Sequence, residues 1–278
     1  MRITIVTPSY NQGKFIRQTL ENVLVNQDYK DIEHLVIDGG SSDETLEILK
    51  TYKARFPNEL TYISEKDSGQ SNAINKGFHK ATGDIIGWIN SDDYYEKNIF
   101  KYIVNYFIEN PNVDMIYGIC HVVDENGNFL MDGEDSHAFK KCNIDYKEFK
   151  YENLMDVYSG LIPQPAVFFR KKIFDKVGYL DESLNFVMDY EYWLRIGRVF
   201  QIRRVDKLLA YFRTHREAKT TFRNRFGYIF ESLKARQRNG GRIISRFHLY
   251  ISYLAIKTLG RIFLTKLGFL KETNKNLQ

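Results

Sequence analysis

Four clusters of polar residues, each directly after an apolar run, stand out in the first hundred residues. They are Thr7-Pro8-Ser9-Tyr10-Asn11, Asp38-Gly39-Gly40-Ser41-Ser42-Asp43, Glu65-Lys66-Asp67-Ser68-Gly69-Gln70 and Asn90-Ser91-Asp92-Asp93. Carboxylates brought to one edge repel each other unless a cation or donor groups compensate, and the adjacent Asp92-Asp93 pair is an oxygen-ligand set suited to a hard divalent metal. A divalent metal would also let an acidic edge hold a diphosphate. Gly39, Gly40 and Gly69 let backbone approach a ligand closely, and Tyr10 offers a ring face to a base. Each cluster taken alone also has a structural reading: Ser41 with Glu44 as a capping box, Asp67-Ser68-Gly69 as a turn, Asp92-Asp93 as the opening of a helix.

The elements that must position these clusters follow from hydrophobic period. Strands at Ile3–Thr7, Glu33–Asp38, Leu60–Glu65 and Ile85–Ile89 alternate with helical patterns near 13–26, 43–55, 70–80 and 96–109, which predicts an α/β fold with a parallel sheet and crossover helices. The four strands are apolar enough to be covered on both faces. In open sheets of this kind ligands bind beyond the carboxyl ends of the strands, which is where all four clusters fall. Beyond Pro111, residues 113–117 and 121–124 with the turn Glu125-Asn126-Gly127-Asn128 predict an antiparallel hairpin. Residues 132–160 read as a long loop with one short helix. A strand at 166–169, a helix over 188–198 and a strand over 208–213 follow.

Composition bounds the rest. The 278 residues include 43% hydrophobic and 15% aromatic residues with only 5 Pro, enough for a sizeable core and incompatible with disorder or low complexity. Two cysteines, Cys120 and Cys142, make no disulfide framework or metal-ligand spacing. No signal-peptide pattern opens the chain, so a cytoplasmic location is expected. No GxGxxG follows the first strand and no GxxxxGK[ST] occurs, which argues against a dinucleotide oxidoreductase and a P-loop hydrolase.

The clusters, extended to Gly69-Gln70-Ser71-Asn72-Ala73-Ile74-Asn75-Lys76-Gly77 and Asp189-Tyr190-Glu191-Tyr192-Trp193-Leu194-Arg195, resemble the ordered motifs of family 2 glycosyltransferases over about residues 1–215. The resemblance implies the GT-A fold: a Rossmann-like, mostly parallel central sheet with flanking helices, strand order 3-2-1-4, a nucleotide-sugar-binding half at 1–110 and an acceptor-binding half at 111–215. It implies transfer of a sugar from a nucleotide-diphosphate sugar, with UDP the expected nucleotide, to an acceptor hydroxyl with inversion. On this resemblance Thr7, Tyr10 and Asp38 would contact base and ribose, with Asp67 and Asn72 close by. Asp92 would contact ribose or the first phosphate, Asp93 would bind Mg²⁺ or Mn²⁺, and His215 would reach the diphosphate or metal, an exposed histidine before a helix being its other reading. Ser91-Asp92-Asp93 stands where the family commonly has D-x-D. The general base implied is Asp189, with Met188 where a Glu usually precedes it. Glu191 lies about 200° around the helix from Asp189 and one turn from Arg195, which an ordinary ion pair explains. Trp88 and Trp193 are read as core.

The last part of the chain differs. Residues 213–278 hold 15 Lys/Arg against 3 Asp/Glu, and residues 1–212 hold 25 against 32. Residues 216–278 therefore read as a basic, amphipathic helical extension. Its segment 243–270 is interrupted by Arg246, Lys257, Arg261 and Lys266, too many charges for a membrane span. It suits an interfacial helix drawn to anionic lipid over residues 223–270, at the inner face of the plasma membrane, by Arg223, Arg225, Arg236, Arg238 and Arg242. Packing on its own domain or on a second subunit is the other reading. The Gln-x-x-Arg-Trp motif of processive synthases is absent, so one sugar at a time is expected, on a glycan or lipid-linked acceptor in surface polysaccharide or glycolipid synthesis. Two rivals are a nucleotide-sugar-binding protein without catalysis and a nucleic-acid-binding protein acting through the basic tail; the second leaves the acidic strand ends unexplained.

Overall fold

The structure, a computed structural model, describes residues 1–132, 149–156, 162–215 and 225–241, with 252–253, 256–257 and 259–260. In chain order the first elements are β1 (Ile3–Ser9), α1 (Gly13–Leu24), β2 (Ile32–Asp38), α2 (Thr45–Arg55), β3 (Leu60–Ser64), α3 (Gln70–Lys80) and β4 (Ile85–Trp88). After them come β5 (Tyr94–Tyr95), α4 (Phe100–Glu109), β6 (Met115–Val123), β7 (Phe129–Asp132), α5 (Tyr151–Asp156), β8 (Val167–Arg170), α6 (Phe174–Val177), α7 (Met188–Gly197), β9 (Ile202–Arg213) and α8 (Arg225–Arg238).

One nine-stranded sheet runs β3-β2-β1-β4-β8-β6-β9-β5, with β7 paired to β6. The first four strands are parallel in the expected order 3-2-1-4, and β8 then joins β4 antiparallel. Alternation along the strands divides the core between the two faces. Ile3, Ile5, Val36 and Ile85 join α1 and α4 on one side, whereas Val6, Leu35, Ile86 and Trp88 join α3 and α7 on the other. Gly77 permits the second contact, because a Cβ there would stand 2.3 Å from Val6 Cγ1.

Several expectations are corrected. β1 continues two residues past the expected end at Thr7, so Pro8 and Ser9 also lie inside the strand. β3 is the sheet's edge strand, with Thr61 and Ser64 exposed, and is not covered on both faces. β9 begins at Ile202, six residues before the expected start, and pairs with β6 along its length. Asp92 and Asp93 lead into β5, and the helix expected from 96 starts at Phe100. Ser41 does not cap α2; Asp43 accepts the Thr45 N–H at 3.0 Å instead. The hairpin turns at Gly127 with φ 86°. Of the loop read at 132–160, residues 133–148 and 157–160 lie outside the described residues, as does most of 243–270.

α8 packs on α7, and Ala235 belongs to the same core as Tyr190 and Trp193. The change of composition at 215 is therefore not the edge of the packed body. Of the arginines assigned to a lipid-facing cluster, Arg236 is buried, and Arg238, at the surface, donates to Asp181 Oδ2 at 2.7 Å. Among the described residues no helix is long and apolar enough to cross a membrane.

Candidate active site

The carboxyl ends of β1, β2 and β3 form one group. Tyr10 is 61% exposed. A Cβ on Gly39 would lie 2.7 Å from Asp67 Oδ2 and 3.4 Å from Tyr10 Cδ2, so ring and carboxylate meet over the bare backbone of that glycine. Asp67 Oδ1 accepts the Gly69 N–H at 2.9 Å, which fixes the turn before α3. An exposed aromatic face and a carboxylate thus meet over a glycine backbone, groups whose chemistry suits contact with a planar base.

Asp38 is the organiser of this corner. Its buried carboxylate accepts N–H bonds from Gly40 at 3.1 Å and Ser41 at 2.9 Å, and hydroxyl bonds from Ser41 at 2.5 Å and Ser64 at 2.6 Å. Ser41 Oγ in turn accepts the Asn11 N–H at 2.7 Å, where Asn11 has φ 51°. Asp38 thus holds the loops that present Tyr10 and Gly39, with its oxygens already engaged. Thr7 is likewise turned inward: its buried hydroxyl meets His34 Nε2 at 2.9 Å, and burial pushes the His34 imidazole down to about 3, leaving it neutral. Asn72 donates to Glu182 Oε2 at 3.0 Å. The structure therefore gathers Tyr10 and Asp67 at Gly39 and places Thr7, Asp38 and Asn72 in supporting bonds.

The end of β4 forms the second group. Asp92 Oδ2 and His215 Nε2 are 2.9 Å apart. The His215 side chain is only 4% exposed and lies against Phe15 with ring centroids 4.9 Å apart, so it is not the exposed histidine of the alternative reading. Asp93 is 1% exposed; it accepts the Arg213 N–H at 2.8 Å and the Asn90 side-chain amide at 3.2 Å. Burial, then the neighbouring Asp92, pushes its carboxyl well above the usual carboxylate range. Among the described residues no three His, Cys, Asp or Glu side chains form a metal-holding cluster. Asp92 and His215, at a separation typical of neighbouring ligands on an octahedral ion with bonds of roughly 2.1 Å, can supply two positions to a cation that takes its remaining ligands from a diphosphate and water.

Three residues without an assigned role tie the groups together. Arg213, 3% exposed, donates through Nε to the Asp92 carbonyl at 2.8 Å, through Nη1 to the Glu125 carbonyl at 2.8 Å and through Nη2 to Gln18 Oε1 at 2.5 Å. Its guanidinium also lies over the Phe15 and Tyr94 rings, at 5.1 and 5.3 Å. Asn90 Oδ1 accepts from Gln70 at 2.8 Å and Trp88 Nε1 at 3.2 Å, while its Nδ2 donates to Asp93 and to Gln164. Gln164 donates to the Trp88 carbonyl at 2.5 Å. A polar residue held between Pro163 and Pro165, just before an apolar strand, was the available signal for Gln164.

Asp189 lies in the first turn of α7, part-buried, its Oδ1 accepting the Tyr190 N–H at 2.8 Å. Burial pushes its carboxyl up to about 6. Met188, beside it, lines a recess with Ser68, Gly69 and Gln70, so the α7 helix begins next to the loop that leads into α3. Glu191 is closed off: Arg195 grips it at 2.8–3.0 Å and also donates to the Val177 and Tyr179 carbonyls, so the ion-pair reading holds. Trp88 and Trp193 are both buried in the core.

Comparison with known proteins bears on the family and the fold. An uncharacterised glycosyltransferase of Rickettsia prowazekii is 27% identical over 220 residues, spanning 79% of this chain and 65% of that protein. Chondroitin synthase of Escherichia coli is 26% identical over 206 residues, 74% of this chain and 28% of its own length. The chain thus spans less than two thirds of these relatives. Among solved structures, S. aureus TarS residues 1–349 in complex with UDP-GlcNAc superimposes with a TM-score of 0.64 at 19% identity, covering 99% of this chain and 77% of that one. The mannosyltransferase PcManGT from Pyrobaculum calidifontis, in complex with GDP-Man and Mn²⁺, gives a TM-score of 0.61 at 16% identity, covering 84% and 64%. Residues 4–178 match the family described as Glycosyl transferase family 2, and with this sheet order and this polar edge the chain is a GT-A-fold member of that family.

Proposed function

We propose that the chain transfers a single sugar from a UDP-sugar to an acceptor hydroxyl with inversion at the anomeric carbon, in the synthesis of a surface polysaccharide or glycolipid. The observation that carries this reading is that Tyr10, Gly39 and Asp67 lie together on the same sheet edge as the Asp92–His215 pair, with a raised-pKa carboxylate beginning the adjacent helix. The UDP and UDP-GlcNAc complexes of TarS support the choice of nucleotide.

An acceptor hydroxyl loses its proton far above neutral pH, so its attack needs a base within hydrogen-bond reach. Asp189 fills that role: a carboxylate titrating near 6 is a stronger base than an ordinary aspartate and is still ionised at pH 7. Asp92 and His215 would hold Mg²⁺ or Mn²⁺, with Asp93 behind them. The bound ion would neutralise charge on the departing diphosphate. Tyr10 and Asp67 orient the nucleotide, and Arg213 keeps the acidic edge folded by neutralising it from within.

The test is product analysis. The protein is incubated with UDP-sugars, Mn²⁺ or Mg²⁺ and an acceptor library that includes lipid-linked glycans, and the new linkage is read by NMR. A β-linked product from an α-linked donor is expected. Retention of configuration, or donor consumption only with another nucleotide, contradicts the corresponding part of the reading.

A further inference from the structure

The basic C-terminal region reaches the start of the Asp189 helix through an acidic residue. The Glu231 carboxylate, on α8, accepts the backbone N–H groups of Asn185 at 3.0 and 3.1 Å, Phe186 at 2.8 Å and Val187 at 3.3 Å. These are the three residues directly before α7, and α7 has no side-chain cap of its own. Glu231 therefore satisfies donors at a helix entrance from a different helix, and its charge lies at the positive end of the α7 dipole. Two further contacts hold α8 there. A Cβ on Gly227 would stand 2.6 Å from the Phe186 ring, so glycine lets α8 come this close to the segment before α7, and Arg238 pairs with Asp181 at 2.7 Å. On the opposite side α3 holds the same segment: Asn75 exchanges bonds with Leu180 at 3.0 Å, and Ser71 donates to the Leu184 carbonyl at 3.1 Å.

We infer that Glu231 is a positioning residue for Asp189, so that α8 is part of the catalytic apparatus. The inference rests on the assignment of Asp189 as the base. The segment 180–187 is clamped between α3, whose first turn lies at the donor side, and α8; releasing the α8 clamp lets the entrance of α7 shift, and a misplacement of about 1 Å at a reacting group can cost roughly 100-fold in rate.

The experiment compares wild type, Glu231→Ala, Glu231→Gln and Asp189→Asn by amide hydrogen exchange, UDP affinity, and release of UDP from UDP-GlcNAc with water as acceptor. In Glu231→Ala, exchange over 185–191 speeds up while 38–43 and 90–95 stay protected, UDP affinity stays within about twofold, and UDP release falls about 10–100-fold. Glu231→Gln, which keeps one acceptor oxygen, recovers most of both. Unchanged exchange over 185–191 in Glu231→Ala overturns the inference, as does loss of protection spreading to 38–43, which marks general destabilisation. Asp189→Asn separates the two levels. Full UDP release in that variant rejects the base assignment, whereas its loss together with a wild-type rate in Glu231→Ala rejects only the positioning role.

Discussion

Asp92 and His215, 123 positions apart in the chain, meet through a 2.9 Å contact between Oδ2 and Nε2. The contact joins the end of β4 to the residue pair that follows β9, and packing of Phe15 on the imidazole fixes it. As the pair proposed to hold the divalent ion, they should govern metal-dependent nucleotide binding. His215→Ala and Asp92→Asn are each expected to weaken Mn²⁺-dependent UDP binding at least roughly tenfold, the scale seen when metal sites lose supporting groups. Calorimetric titration with and without Mn²⁺ checks this.

The Asp189 carboxyl, held at about 6, sets two pH effects. A base must be ionised, so turnover is expected to rise with pH through about 6, well above the usual aspartate range. Stability runs the other way. A folded-state pKa above the unfolded value means that the folded state binds the proton more tightly, so stability falls as pH rises from about 4 to about 6 and stays reduced above that. Asp189→Asn removes the penalty: it should abolish turnover yet raise neutral-pH stability by about 1–3 kcal/mol, with no gain below pH 4. Thermal unfolding at pH 3.5 and pH 7.5 measures the difference.

Arg213 is the buried cation of the acidic edge. Its guanidinium binds two carbonyls and one side-chain amide oxygen between two aromatic rings. Arg213→Met is expected to cost about 3–5 kcal/mol, because Asp93 loses its nearby positive charge and the carbonyls lose their donors. Arg213→Lys should recover little, since an ammonium cannot span the three acceptors in a plane. Denaturant unfolding of the three proteins decides it.

Gly39→Ala introduces a Cβ 2.7 Å from Asp67 Oδ2. The methyl must displace Asp67 and crowd Tyr10, so UDP affinity should drop about tenfold or more while the unfolding midpoint moves by only a few degrees. A parallel loss of both would instead show that the corner is structural.

The parallel half of the fold was legible because its signals are local. Apolar runs and helical periods put β1, β2 and β4 within two residues of their observed positions, and the order of the sheet came from the family resemblance. The antiparallel half was less so: β9 is twelve residues long but its first half carries Arg203, Arg204, Asp206 and Lys207, which mask the strand period. Site residues divided in the same way. Asp92, Asp93, Asp189 and His215 sit on motifs, whereas the burial of Thr7 and the saturation of Asp38 by Gly40, Ser41 and Ser64 depend on three loops meeting in space. Arg213 was missed for that reason, since one side chain reaching Asp92, Glu125 and Gln18 leaves no mark in local spacing, whereas Gln164 had a local signal in its two flanking prolines. Charge alone suggested that the tail faces outward, yet Glu231 and the buried Arg236 turn its described helix toward the core.

In the proposed function this edge binds a nucleotide-sugar with a divalent ion and Asp189 performs the chemistry. The most direct measurement pairs UDP titration in the presence of Mn²⁺ with UDP-sugar turnover, for wild type and Asp189→Asn. Metal-dependent UDP binding of equal strength in both proteins, with turnover only in wild type, is expected. Wild-type turnover by Asp189→Asn, or UDP binding in neither protein, would contradict it.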